Sequence, residues 1–161
     1  APDDSVLEIG CNAGPNLEGL RQLGFSDLAG VEISATAVSE MHRVFPELAG
    51  LVTIHQGRAE EVLPALPTSS RDVVFTMAVL IHVHPSSHAV MAEMVRVAQK
   101  YVCVVEAEDV TTNYVFARNY RRVFERLGCT EVKTAPILSG SFPSANSGYV
   151  GYRARLFAVR P

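Results

Sequence analysis

Ser5-Val6-Leu7-Glu8-Ile9-Gly10-Cys11-Asn12-Ala13-Gly14-Pro15 is the stretch on which the fold turns. Its first six residues read as a short buried strand. Gly10 and Gly14 permit a tight bend, and Pro15 stands where a helix begins, with Leu17, Leu20 and Leu23 following at helical spacing. A strand that bends through glycines into a helix opens a doubly wound α/β domain. The spacing also discriminates between ligands. A dinucleotide-binding G-x-G-x-x-G run would need glycine at positions 12 and 15, where Asn12 and Pro15 stand, and this disfavours a nicotinamide-dependent oxidoreductase. What remains is E-x-G-x-N-x-G. Asn tolerates positive φ better than most residues. Glu8 is an odd acid for a buried strand end unless it accepts hydrogen bonds from the loop or from a cationic ligand.

Outward from this unit, strands alternate with helices. Leu28–Ile33 reads as a second strand, and Ser34 as the N-cap of a helix through Val38, Met41, Val44 and Phe45 that Pro46 stops. Leu51–His55 is a third strand, with a Glu-rich turn or helix near Glu60–Leu63. Asp72–Met77 is a fourth. A helix capped by Ser86 or Ser87 carries Val90, Met91, Met94, Val95 and Ala98 on one face, and Tyr101–Glu106 is a fifth strand. Tyr114–Leu127 reads as a long amphipathic helix closed by Gly128, with Tyr114, Phe116, Tyr120 and Phe124 in or near the core. Thr130–Ile137 and Tyr152–Arg160 are two strands whose Ser- and Gly-rich link, 138–151, holds no crossover helix, so they pair antiparallel. The order implies a mostly parallel sheet with helices on both faces, in a single domain over 1–161.

Composition limits the partners. Of 161 residues, 48% are hydrophobic and 19% charged, with net charge −3. That is a globular domain with no clustered positive charge to draw a nucleic-acid backbone, and no apolar run approaches the roughly 20 residues of a membrane helix. Cys11, Cys103 and Cys129 are far apart and form no CxxC pair. They read as buried thiols of a cytoplasmic protein. The chain opens without Met and enters a strand within five residues, which reads as a trimmed or excised domain.

A second anchor is Glu32, which closes strand two 18 residues beyond Gly14, near the separation of about 20 at which a ribose-binding acid stands in such folds. The bland alternative is a solvated strand-end acid. Taken together, Val6–Gly14, Gly30-Val31-Glu32-Ile33-Ser34 and Asp72–His82 resemble class I S-adenosylmethionine-dependent methyltransferases. Thr76–Pro85 and Lys100–Glu106 are similar to small methylases associated with pseudaminic (nonulosonic) acid biosynthesis. The resemblance covers nearly the whole chain. It implies a Rossmann-like seven-stranded sheet in order 3-2-1-4-5-7-6 with strand seven antiparallel, and S-adenosylmethionine as cofactor. It also implies site residues. Glu8, Gly10, Cys11, Asn12 and Gly14 would form the bend under the methionine and ribose part of the cofactor, Glu32 would hold the ribose hydroxyls, and Ile33 would lie beside the adenine. The stretch after strand three, Gln56-Gly57-Arg58-Ala59-Glu60, would serve the adenine edge. Arg58 stands where Asp is common, so the Ala59 backbone or Glu60 would take that contact. Met77 would face the cofactor across the loop. Family members also carry a helix ahead of strand one that covers the site, and this sequence has four residues before Ser5, so that cap helix is expected to be missing.

For chemistry, His82, His84 and His88 cluster after strand four, on the edge where such folds hold ligands. His82 is the candidate general base, against the alternative of a hydrogen-bonded His that shapes the loop. His84 and His88 read as a solvated helix start, and H-x-H-x-x-x-H without a spaced carboxylate does not read as a metal site. Glu106, at the end of strand five, is the second catalytic candidate, forming an acidic rim with Glu108 and Asp109. Thr111, Asn113, Tyr114, Arg118 and Asn119 are within reach of a polar substrate, while Arg118, Arg121 and Arg122 read first as a solvated helix face. The leading reading is methyl transfer to an oxygen or nitrogen atom of a small molecule, such as a sugar. The alternative is a catalytically inactive methyltransferase-like binding module.

Overall fold

The computed structural model describes residues 1–109, 112–137 and 151–160. Alternating strands and helices form one seven-stranded sheet: β1 (Val6–Ile9), α1 (Pro15–Gln22), β2 (Leu28–Glu32), α2 (Ala35–Val44), α3 (Pro46–Ala49), β3 (Thr53–Gln56), α4 (Ala59–Val62), β4 (Arg71–Met77), α5 (Ala89–Val97), β5 (Ala98–Ala107), α6 (Tyr120–Arg126), β6 (Thr130–Pro136) and β7 (Tyr152–Ala158). The strand order is β3-β2-β1-β4-β5-β7-β6. β1 to β5 are parallel, and β7 runs antiparallel to both β5 and β6. This is the order and the strand direction expected from the sequence.

Period-two alternation sends the strand residues into two cores. Leu7, Ile9, Val74, Val102 and Val104 pack with α5 and α6 residues such as Met94 and Phe124. Val6 and Leu28 pack with Leu17, Met41 and Leu48 from α1 to α3, together with Cys11. The same alternation turns Glu8 toward the face of Val6, where α1 lies, and Glu106 toward the face of Val102 and Val104. On the α1 side the outer half of the sheet is an open groove of about 650 Å³ lined by Leu20, Leu23, Phe75, Cys103, Val105 and Leu156 among others. No helix among the described residues is long and apolar enough to cross a membrane.

Local signals succeed where short-range bonds decide. Ser34 is the N-cap of α2, its hydroxyl accepting from the Ala37 N–H at 3.2 Å. Pro46 ends α2 but also starts α3, since its missing N–H costs nothing at a first helical position. Other expectations are corrected. Ser86 and Ser87 lie in a 3₁₀ turn, Pro85–Ser87, whose cap is His84, and α5 begins at Ala89. The long helix over 114–127 is only α6, 120–126. Asn119 caps it, its side chain accepting from the Arg122 N–H at 2.9 Å. Residues 112–118 are held away from helix by tertiary bonds, among them the Phe116 N–H to the Ile81 carbonyl at 2.6 Å, and Tyr114 is 80% exposed rather than near the core. Thr111 and most of the Ser- and Gly-rich link, 138–150, lie outside the described residues.

Close packing at the head of the sheet is testable at Gly30. A Cβ there would sit 2.5 Å from Cys11 Sγ, 3.1 Å from Cys11 Cβ and 3.0 Å from Ile54 Cδ1. Gly30→Ala is expected to lower stability by about 1–3 kcal/mol, read as a lower urea midpoint at unchanged slope. An unchanged midpoint would contradict this packing.

Candidate functional site

The carboxyl ends of β1, β2 and β4 meet in one cleft. Its larger part, about 770 Å³, is bordered by Gly10, Asn12, Asn16, Glu32 and Met77. A second part of about 340 Å³ is bordered by Ile33, Gly57, Arg58, Ala59 and Glu60. Gly10, Glu32, Ile33, Val79 and His82 border both. Every residue assigned from the sequence to the cofactor, apart from the buried Glu8 and Gly14, therefore borders this cleft.

The floor is the bend from β1 into α1. Gly10, Asn12 and Gly14 have φ of 72°, 50° and 80°, the left-handed region that Gly and Asn accept most readily. The Gly10 and Cys11 N–H groups donate to the Val31 carbonyl at 2.8 and 3.2 Å. The next N–H, Asn12, donates to Glu32 Oε2 at 2.8 Å, and Ser34 N–H donates to Glu32 Oε1 at 2.8 Å. The Gly57 N–H donates to the Glu32 carbonyl at 2.9 Å. Glu32 thus fastens the loops that leave β1, β2 and β3, and each carboxylate oxygen keeps acceptor capacity. A side chain at Gly10 would meet Val79 Cγ2 at 2.5 Å, and one at Gly14 would meet Met41 at 2.8 Å. Beside this floor Ile33 is 63% exposed, an uncovered apolar surface. The Cys11 side chain is buried in the α1–α3 core, and that burial pushes its thiol up to about 12, so it is a packing group at the cleft margin rather than a nucleophile.

Glu8 lies under the bend. It is 1% exposed, and its Oε1 accepts from Asn16 Nδ2 at 2.7 Å. Its Oε2 has no hydrogen-bond partner among the described residues. Asn16 also approaches Met77 Sδ at 3.8 Å. Burial pushes the Glu8 carboxyl up to about 8, Asn16 pulls it down, and the negative Glu32 adds to the rise. In the smaller part of the cleft Arg58 is exposed and stands 3.6 Å from Glu60.

His82 is exposed at the cleft edge, and its Nδ1 lies 3.0 Å from the Tyr114 carbonyl. A carbonyl oxygen only accepts, so Nδ1 carries the proton and Nε2 is left as the acceptor of the neutral ring. His84 Nδ1 is engaged with Ser86, and His88 Nδ1 lies 3.2 Å from the Pro85 carbonyl. Glu106 is no part of an acidic rim. It is fully buried, with Oε1 accepting from the Val79 and Leu80 N–H groups at 3.0 Å each and Oε2 from Ile81 N–H at 3.2 Å. Burial holds its carboxyl above the ordinary value, and these backbone bonds pull it part of the way back. Glu108 is paired with Arg155 at 2.6 and 2.8 Å. Arg118 is not a solvated helix cation but donates to the Leu80, Phe116 and Val83 carbonyls. The clamp of Glu106 and Arg118 around residues 79–83 was not anticipated. Its one sequence signal was a glutamate continuing the inward period of Val102 and Val104.

The profile of a family described as a methyltransferase domain matches residues 7–103, more than half of the chain. The chain belongs to that family, the S-adenosylmethionine-dependent class that its glycine loop resembles. No curated protein sequence matches it. Among solved structures it is similar to a geranyl diphosphate C-methyltransferase from Streptomyces coelicolor A3(2), with TM-score 0.78, 13% identity and coverage of 99% of this chain and 72% of that one. It is also similar to a magnesium protoporphyrin IX methyltransferase from Synechocystis PCC 6803, at 0.75, 17%, 99% and 71%. A third is an S-adenosylmethionine-dependent methyltransferase from Mesorhizobium loti, at 0.75, 11%, 98% and 91%. At these identities the likeness is one of fold.

Glu8 makes stability depend on pH. Its folded value of about 8 lies above the ordinary 4.5, so the folded state holds a proton that the unfolded chain gives up. That contribution is fully present below about 4.5 and is lost as pH rises through about 8. Glu8→Gln is expected to flatten this decline and to melt above the parent protein at pH 8. Parallel melting curves for the two proteins from pH 5 to pH 8 would contradict the assignment.

Proposed function

We propose that this domain transfers the methyl group of S-adenosylmethionine to an oxygen or nitrogen atom of a small polar molecule in the cytoplasm. The substrate class favoured is a sugar or sugar-like acceptor, from the similarity of Thr76–Pro85 and Lys100–Glu106 to the nonulosonic acid methylases. The observation that carries the reading is the convergence on one cleft of the left-handed bend, a carboxylate pinned by two backbone N–H groups and the exposed apolar face of Ile33. Three free cysteines suit a reducing compartment.

The residues fit the cofactor. Glu32, held by two backbone N–H groups, would accept from the ribose hydroxyls. Exposed Ile33 would cover one face of the adenine, with Ala59 and Glu60 at its polar edge. Arg58 only donates, so the exocyclic amine falls to an acceptor such as Glu60. At the other end, a methionine ammonium above the bend would favour the ionised form of Glu8, whose Oε2 lacks a donor among the described residues. The absence of a Cβ at Gly10 and Gly14 keeps the bend closely packed beneath.

When bound, S-adenosylmethionine supplies a methyl carbon activated by its sulfonium, so the chain must contribute alignment and a place for the acceptor's proton. His82 suits the second task. The Tyr114 carbonyl holds its proton on Nδ1, so Nε2 can take a proton from a hydroxyl or an ammonium at the cleft edge.

Calorimetric titration with S-adenosylhomocysteine tests the site. Glu32→Gln is expected to weaken binding about tenfold or more, equal to about 1.4 kcal/mol. His82→Ala is expected to bind as the parent does and, with an accepted substrate, to lose roughly 10²-fold in turnover. Equal affinity of Glu32→Gln and parent would overturn the site, and full turnover by His82→Ala would remove it as base.

A further inference from the structure

We propose that Glu106 is a positioning residue: its buried carboxylate holds the loop after β4 in the one shape that sets Val79 on the glycine bend and His82 at the cleft, with Arg118 as its counterpart on the loop's other side. The inference deepens the methyl-transfer reading and rests on it only for the ligand.

The loop needs such a clamp. Ala78 takes φ of 58°, a strained value for a residue with a Cβ, and such a conformation persists only where the surroundings fix it. Its N–H donates to the Val105 carbonyl at 2.9 Å. The three following N–H groups, Val79, Leu80 and Ile81, point the same way, and the 3₁₀ turn over Leu80–His82 gives none of them an intraturn partner, its first bond being His82 N–H to the Val79 carbonyl. All three converge on Glu106, and the Thr76 hydroxyl stands 3.4 Å from the same Oε1. Loop carbonyls are engaged from the opposite side. Leu80 and Val83 accept from Arg118, and Ile81 accepts from the Phe116 N–H at 2.6 Å.

The loop is thus held by its donors from within and by its acceptors from without. Glu106 is fully buried and lines neither part of the cleft, so it has no access to a substrate proton. What the clamp fixes is the wall between the two parts of the cleft. Val79 and His82 are the residues of this loop that border both parts. Val79 Cγ2 lies 2.5 Å from where a Cβ on Gly10 would stand, so the loop rests directly on the bend. The second tie, His82 Nδ1 to the Tyr114 carbonyl, joins the same loop to the segment that carries Arg118. Loss of the Glu106 carboxylate therefore acts at two places, the contact of Val79 with Gly10 and the proton position on the His82 ring.

Glu106→Gln keeps size and one acceptor oxygen but sets an amide NH₂ against at least one backbone N–H. Three readouts follow: calorimetric affinity for S-adenosylhomocysteine, ring nitrogen shifts of His82, and amide exchange at Val79, Leu80 and Ile81. In the parent protein His82 is expected as the Nδ1–H tautomer and the three amides as protected. In Glu106→Gln, affinity falls about tenfold, exchange at the three amides rises about tenfold or more, and His82 becomes a tautomer mixture, while amides of β1 and β2 stay protected. Arg118→Lys, which loses the fork that spans two carbonyls, moves His82 the same way and serves if Glu106→Gln does not fold. A variant that matches the parent in all three readouts overturns the proposal, as does rapid exchange of the three amides in the parent. A parent protein that binds no S-adenosylhomocysteine would overturn the methyl-transfer reading, and the exchange and tautomer readouts would still decide the clamp.

Discussion

Three loops leave the same edge of the parallel sheet, after β1, β2 and β3, and each must place backbone N–H groups where no strand partner remains. Glu32 provides for all three. Its carboxylate accepts from Asn12 in the first loop and Ser34 in the second, and its carbonyl accepts from Gly57 in the third. The left-handed backbone at Gly10, Asn12 and Gly14 lets the first loop come within reach. A carboxylate pinned by two N–H groups keeps a fixed direction, which is what recognition of a pair of vicinal hydroxyls requires.

The same device recurs on the other side of the cleft. Glu106 does for the loop after β4 what Glu32 does for the loops around it, and the two loop systems meet where Val79 covers Gly10. Glu8 differs, because one of its oxygens is left without a donor. Buried polar atoms are rarely unpartnered. Of the three glutamates, Glu106 is shut away from the cleft, Glu32 borders it with acceptor capacity to spare, and Glu8 lies beneath it with one oxygen left without a donor among the described residues.

Much of this was legible in the chain. The glycine bend, the acid closing β2, the alternation of strand and helix and the antiparallel last pair are all local patterns, and the sheet order followed from the resemblance they support. Glu8 stood out as an acid in an apolar strand. The departures from local pattern share one cause. Residues 114–119 carry aromatic residues that suit a helix, but Arg118 and Phe116 bond to carbonyls more than thirty residues away. Those bonds outweigh local propensity and leave the Asn119 cap as the true start. Strand ends are usually wet, which points Glu106 toward an acidic rim and a catalytic role, whereas the structure buries it. Its inward direction follows from the period of Val102 and Val104, but the three N–H groups that meet it belong to a loop whose path no local pattern fixes. For the same reason the tie from His82 to the Tyr114 carbonyl could not be read from spacing.

The central claim is that Glu32 and the bend it fastens form the seat of the methyl donor. A crystal structure of the protein with S-adenosylhomocysteine tests it most directly. Density is expected along the cleft, with the ribose hydroxyls on the Glu32 carboxylate, the adenine against Ile33 and the amino group facing Glu8. Density elsewhere on the molecule, with Glu32 bonded only to Asn12 and Ser34, would contradict it.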